Sequence, residues 1–172
     1  MIMIRRGTFE TNSSSTHALC IKKEIPKNLP KEIYFGLGCF GWEKEKSTDM
    51  TTKATYLHTA ILDCYSDDED KYNNYKNNIT NILREYGIES KWEEPKKSSN
   101  GNYDWYDYYI DHSYEMESLL EIIPDQPQLL IEWLCNDESW LVTDNDNSDM
   151  EYFDWALDKF KGDDYYVYVK GN

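Results

Sequence analysis

Glu10, Thr11, Asn12, Ser13, Ser14, Ser15, Thr16 and His17 run consecutively: seven oxygen-bearing side chains followed by an imidazole. Such a run between two strands can present hydroxyls, an amide and backbone N–H groups to a phosphate or a sugar, with Arg5 or Arg6 near in sequence to neutralise the anion. His17 titrates near neutral pH and could serve as acid or base on whatever is held there. Ser13–Ser15 and His17 lie too close together to imply a serine triad, and no G-x-S-x-G elbow is present. The competing reading is a hairpin loop held by Asx- and ST-turns, with His17 an ordinary polar residue.

Two further polar elements could join that run. Asp111-His112 closes a presumed strand, and Asp144-Asn145-Asp146-Asn147 follows another. Two histidines with two or three carboxylates could bind a divalent metal or supply an acid/base pair, although no H-x-H or H-x-x-x-H ligand pair exists. An EF-hand beginning at Asp144 fails, because its sixth position is Asp149 and its twelfth Trp155. No metal ligand set is assigned, and no cofactor is predicted. Cys20, Cys39, Cys64 and Cys135 are scattered without a C-x-x-C pair, which excludes a zinc ribbon or disulfide framework and suits reduced thiols. Cys20, Cys64 and Cys135 sit on apolar stripes; Cys39, beside glycines, is a candidate exposed thiol.

A third group has a different chemistry. Trp105, Tyr106, Tyr108 and Tyr109 alternate with Asp104 and Asp107. Single-strand nucleic-acid binders pair such rings with Lys and Arg, which are missing from this stretch. Rings that anchor and carboxylates that steer describe instead a surface for a basic protein groove. The charge distribution agrees. The 172 residues carry a net −15, yet residues 1–101 hold equal numbers of acids and bases. Residues 102–164 hold 18 acids against Lys159 and Lys161 alone. A one-signed field of this kind steers partners, and it argues against direct contact with nucleic acid or an anionic membrane. A plain solvated face is the competing reading.

The elements that must position these residues are mostly short. Strands are expected at Met1–Arg5, Ala18–Lys22, Ile33–Phe35, Ile88–Glu93, Tyr103–Ile110, Ser139–Thr143 and Tyr165–Lys170. Gly36–Trp42 reads as a tight turn, Pro95–Asn102 as a loop and Asp144–Asp149 as a turn. Helical stripes begin at Thr51 and after Asp67–Asp70, the second ending at Gly87. Ser118–Ile123, Gln126–Asn136 and Met150–Phe160 complete the helices. Strands and helices without strict alternation predict an α+β fold: one domain over 1–172, a mixed or antiparallel sheet, and four to five helices. No apolar run reaches the ~20 residues of a membrane span, and no secretory h-region opens the chain, so a cytosolic location is expected.

Phe9-Glu10-Thr11-Asn12-Ser13-Ser14-Ser15-Thr16-His17, preceded by an arginine, resembles the opening of a group of proteins encoded by bacteriophages and prophages. Phe35–Trp42 is similar to that group's F-G-x-x-G-W stretch with two residues more. Tyr56-Leu57-His58-Thr59 is similar to its Y-L-Y-T helix, with His58 in place of tyrosine. Asp111-His112-Ser113 is similar to its D-H-x-S element with the intervening residue absent, and Thr143–Asn147 to its T-x-N-D-N element. The resemblance implies a mobile-element origin and no particular reaction, and the His58 departure argues that His58 carries no chemistry.

Two functions are expected on these grounds. The first is an acidic binding protein that inhibits a basic, nucleic-acid-binding host factor in the host cytosol, anti-CRISPR-like, with Asp104, Trp105, Asp107, Tyr108, Asp111, Asp144 and Asp146 meeting the partner. The second is a small enzyme or ligand-binding protein for a phosphorylated or nucleotide substrate. There Arg6, Glu10, Asn12, Ser13, Ser14, Ser15 and Thr16 would bind, and His17, His112 and Asp111 would act as acid and base beside Asp144 and Asp146.

Overall fold

Local signals in the chain nucleate its two longest helices. In the computed structural model, Asp49 caps α1 (Met50–Tyr65), its carboxylate accepting from the Thr52 backbone N–H at 2.7 Å and the Thr52 hydroxyl at 3.0 Å. Asp68 does the same for α2 (Glu69–Glu85), accepting from the Lys71 N–H at 3.0 Å. Gly87, at φ +76°, ends α2, and the Ile88 N–H reaches back to the Leu83 carbonyl at 3.0 Å. The structure describes residues 2–3, 15–41, 45–101, 104–110, 123, 125–145 and 151–170.

The remaining elements are β1 (Ile2–Met3), β2 (Ser15–Lys22), β3 (Glu32–Phe35), β4 (Cys39–Phe40), β5 (Glu45–Ser47), β6 (Glu89–Trp92), β7 (Lys97–Ser99), β8 (Asp104–Tyr106), β9 (Tyr109–Ile110), α3 (Pro127–Cys135), β10 (Trp140–Asn145), α4 (Glu151–Lys159) and β11 (Tyr165–Lys170). A mixed sheet runs β1-β11-β2-β10-β5, with β1 parallel to β11 and the other pairs antiparallel. β3 and β6 form a small parallel pair, as do β4 and β9, while β7 and β8 form a hairpin. This is the expected α+β single domain.

Strand alternation divides the core in two. Leu19, Ile21 and Leu141 face α1 and α3, joining the larger core with Tyr56, Leu57, Ile61, Leu130 and Trp133. Ala18, Cys20, Val142 and Val167 face α4, where they meet Ala156 and Phe160. Phe35 stacks on Trp92 at 4.1 Å and ties β3 to β6. Lys53, fully buried on α1, donates from Nζ to the Asn136 carbonyl at 2.9 Å and the Ser139 carbonyl at 3.2 Å. A cation there suits the negative end of α3, although burial pushes the amine down to about 8.

Several expectations need correction. Ser15, Thr16 and His17 belong to β2 rather than to a loop, and Asp144 belongs to β10 rather than to the turn after it. Cys39–Phe40 is a strand within the supposed Gly36–Trp42 turn, and Lys97–Ser99 is a strand within the supposed Pro95–Asn102 loop. The single strand expected over Tyr103–Ile110 is replaced by two, Asp104–Tyr106 and Tyr109–Ile110, broken at Asp107 and Tyr108. The helix expected over Ser118–Ile123 lies outside the described residues except for buried Ile123.

Candidate functional site

His17 sits at the centre of the sheet, 1% exposed, between Thr143 of β10 and Lys170 of β11. Its Nε2 meets the Ser15 hydroxyl at 2.9 Å, because residues two apart on a strand share a face. Its Nδ1 meets the Tyr56 hydroxyl of α1 at 2.8 Å. Phe40 and Trp133 pack edge-on against the Tyr56 ring, at 5.1 and 6.5 Å. Burial pushes the Tyr56 phenol far above its ordinary range, so it stays protonated. The three groups form an internal relay of hydrogen bonds. Its serine is itself only 1% exposed.

The register also separates His17 from Asp144. Asp144 pairs with Thr16, one residue off, so it points to the α4 face while His17 points to α1. These two members of the expected acid/base group do not converge. Arg6, Glu10, Asn12, Ser13, Ser14, Asp111, His112 and Asp146 lie outside the described residues. Among the described residues no group of three His, Cys, Asp or Glu side chains is placed to hold a metal ion.

His58 is fully buried where α1, α2 and β3 meet. Its Nδ1 lies 3.0 Å from both the Phe35 and Gly36 carbonyls, so that nitrogen carries the proton. Nε2 is therefore an acceptor and takes the Tyr72 hydroxyl at 2.7 Å. Burial pushes the imidazole down to about 4. This geometry suits a neutral structural hinge-pin.

The aromatic and acidic strip is placed very differently. The β7–β8 hairpin and β9 fold over the C-terminal end of α1 and enclose a cavity of about 310 Å³ lined by Leu62, Asp63, Ser66, Asp67, Lys97, Asp104, Trp105, Tyr106, Tyr108 and Tyr109. An adjoining cavity of about 300 Å³ shares Leu62, Ser66, Lys97 and Tyr106 and adds Tyr65, Glu69, Tyr72, Asn73, Glu94 and Pro95. Together they make one cleft with five carboxylates, six aromatic rings and one lysine. Trp105 and Tyr109 are each 43% exposed at its mouth.

Of the residues expected to meet a partner, Asp104, Trp105 and Tyr108 line this cleft. Asp107 does not. Its carboxylate accepts from the Trp105 indole at 2.8 Å and from the Ser98 hydroxyl, and both bonds hold it below the usual carboxylate range. Its carbonyl accepts from Cys39 Sγ at 3.2 Å. Asp107 thus positions Trp105 and pins the hairpin to β4. Asp63, Asp67, Glu69 and Glu94 come from the charge-balanced part of the chain, and the sequence reading missed them. Asp67 and Glu69 enter because they start α2 beside the cleft; no local pattern marks Asp63 or Glu94.

No helix among the described residues is long and apolar enough to cross a membrane. The chain matches no protein-family model, no curated protein and no solved structure.

Proposed function

We propose that the protein is a phage-derived binding protein whose acidic, ring-lined cleft engages a basic, nucleic-acid-binding or defence factor of the host and blocks it by nucleic-acid mimicry. The observation that carries this reading is the cleft itself, where five carboxylates from both halves of the chain surround six rings and a single lysine. Carboxylates so placed steer a cationic surface, and half-exposed rings supply buried contact area once it docks. The alternative, a phosphorylated or nucleotide substrate handled by His17, has less support. Its Ser15 and His17 are buried, and Asp144 faces the other side of the sheet.

The test is capture from host lysate followed by competition with a nucleic-acid duplex. Duplex should displace the captured partner, and binding should weaken as salt rises past the point where the Debye length falls below ~8 Å. Asp67→Asn with Asp104→Asn should slow association, while Trp105→Ala should speed dissociation at a cost of about 2 kcal/mol. Recovery of no nucleic-acid-binding protein, or binding indifferent to duplex, overturns the proposal.

A further inference from the structure

We infer that the cavity of this cleft lined by Asp63, Asp104 and Trp105 is a receptor for one arginine side chain of an extended basic segment. The inference rests on the basic-partner reading and specifies how that partner is gripped.

Asp63, in the last turn of α1, lines this cavity, and its Oδ2 is buried and accepts no hydrogen bond. A shielded carboxylate oxygen without a donor is costly, and a ligand that brings a donor recovers that cost once the carboxylate turns that oxygen toward the cavity. With Asp67 and Asp104 also on the wall, the donor that suits the site is cationic.

The rings point the same way. Lys71 lies over Tyr65 at 5.5 Å, Lys76 over Tyr72 at 4.9 Å and Lys97 over Tyr106 at 5.3 Å. Tyr65, Tyr72 and Tyr106 therefore already carry the chain's own cations. Among the described residues no lysine or arginine lies over Trp105, Tyr108 or Tyr109, which line the same cavity as Asp63. A volume of about 310 Å³ accommodates one long side chain. Arginine fits better than lysine because its planar fork can bond a carboxylate while its face stacks on an indole or phenol, and it sheds water more easily.

Lys97 lines both cavities and is exposed. Its ammonium holds the place beside Tyr106 that an incoming cation approaches, so it competes with the ligand.

The probes are acetylated, amidated octa-arginine and octa-lysine, titrated calorimetrically at physiological salt into the whole protein. Asp63→Asn should weaken octa-arginine binding by about tenfold, the worth of one hydrogen bond to a charged group, and Trp105→Ala should weaken it by a similar factor through the lost stacking. Asp154→Asn removes the same charge from an exposed position on α4 and should change binding by less than about twofold. Lys97→Met should tighten binding, and octa-lysine should bind several-fold more weakly. Unfolding curves check that each variant is folded; Trp105 and Lys97 are exposed, so their variants keep the test open if Asp63→Asn is unstable. Equal losses from Asp63→Asn and Asp154→Asn would assign binding to net charge and overturn the pocket, as would equal binding of the two peptides. Either result leaves the basic-partner reading intact, whose own failure shows as a lysate capture without a nucleic-acid-binding protein.

Discussion

Tyr56→Ala is expected to lower the unfolding free energy by about 3–5 kcal/mol, as for other large aromatic truncations. That is a large part of the ~5–15 kcal/mol typical of a domain. The ring is fully buried between the sheet and α1, touching Phe40 and Trp133 on its edges, and its hydroxyl holds His17. Tyr56→Phe keeps the ring and removes the hydroxyl that meets His17 Nδ1, so its cost should be about 1–2 kcal/mol. Urea denaturation of the two variants separates packing from the hydrogen bond. Equal losses would mean that the relay, not the ring, organises this layer.

Acidification should destabilise the protein through His58 by about 3 kcal/mol between pH 6.5 and pH 4. The imidazole is held at about 4 in the folded state against 6.5 when unfolded. The unfolded chain therefore binds the extra proton first, and stability present above pH 6.5 is lost as the pH falls toward 4. Protonation would also turn Nε2 from acceptor to donor against the Tyr72 hydroxyl, and that hydroxyl must then rotate. With 33 acids against 18 bases, lowering the pH relieves self-repulsion as well, which works in the opposite direction. Subtracting the profile of His58→Asn, which keeps an amide donor for the Phe35 carbonyl, isolates the histidine. A difference flat between pH 7 and 4 would show that the ring is not held neutral.

The helices were legible because their signals are local: Asp67–Asp70 before the α2 stripe and Gly87 after it mark that element within a few residues. The polar run ending at His17 was misread for a related reason. Its composition is that of a loop, yet Ser15 and His17 satisfy each other on the buried face, and the third partner, Tyr56, is 39 residues away. The aromatic strip at 104–109 was visible as a binding surface, but not its depth. That depth comes from α1 and α2, whose Asp63, Asp67 and Glu69 are invisible to any count that treats the first 101 residues as neutral. Lys53 likewise reads as a surface lysine until α3 is laid against it.

The division of the core by the sheet has a dynamic consequence. α4 is held by a small cluster, chiefly Ala156 and Phe160 on Ala18, Cys20, Val142 and Val167, while α1 is embedded in the larger one. Segments with less buried apolar area open at lower free energy than the whole domain, so α4 should lift while the layer around α1 stays closed. Cys20 lies under it, fully buried, its thiol pushed up to about 12 by burial. Closed, that sulfur is neither reachable nor ionised; with α4 raised it is both more accessible and more acidic. The rate of Cys20 alkylation is thus a clock for this partial opening, legible against exposed Cys39, which reacts without any opening at all.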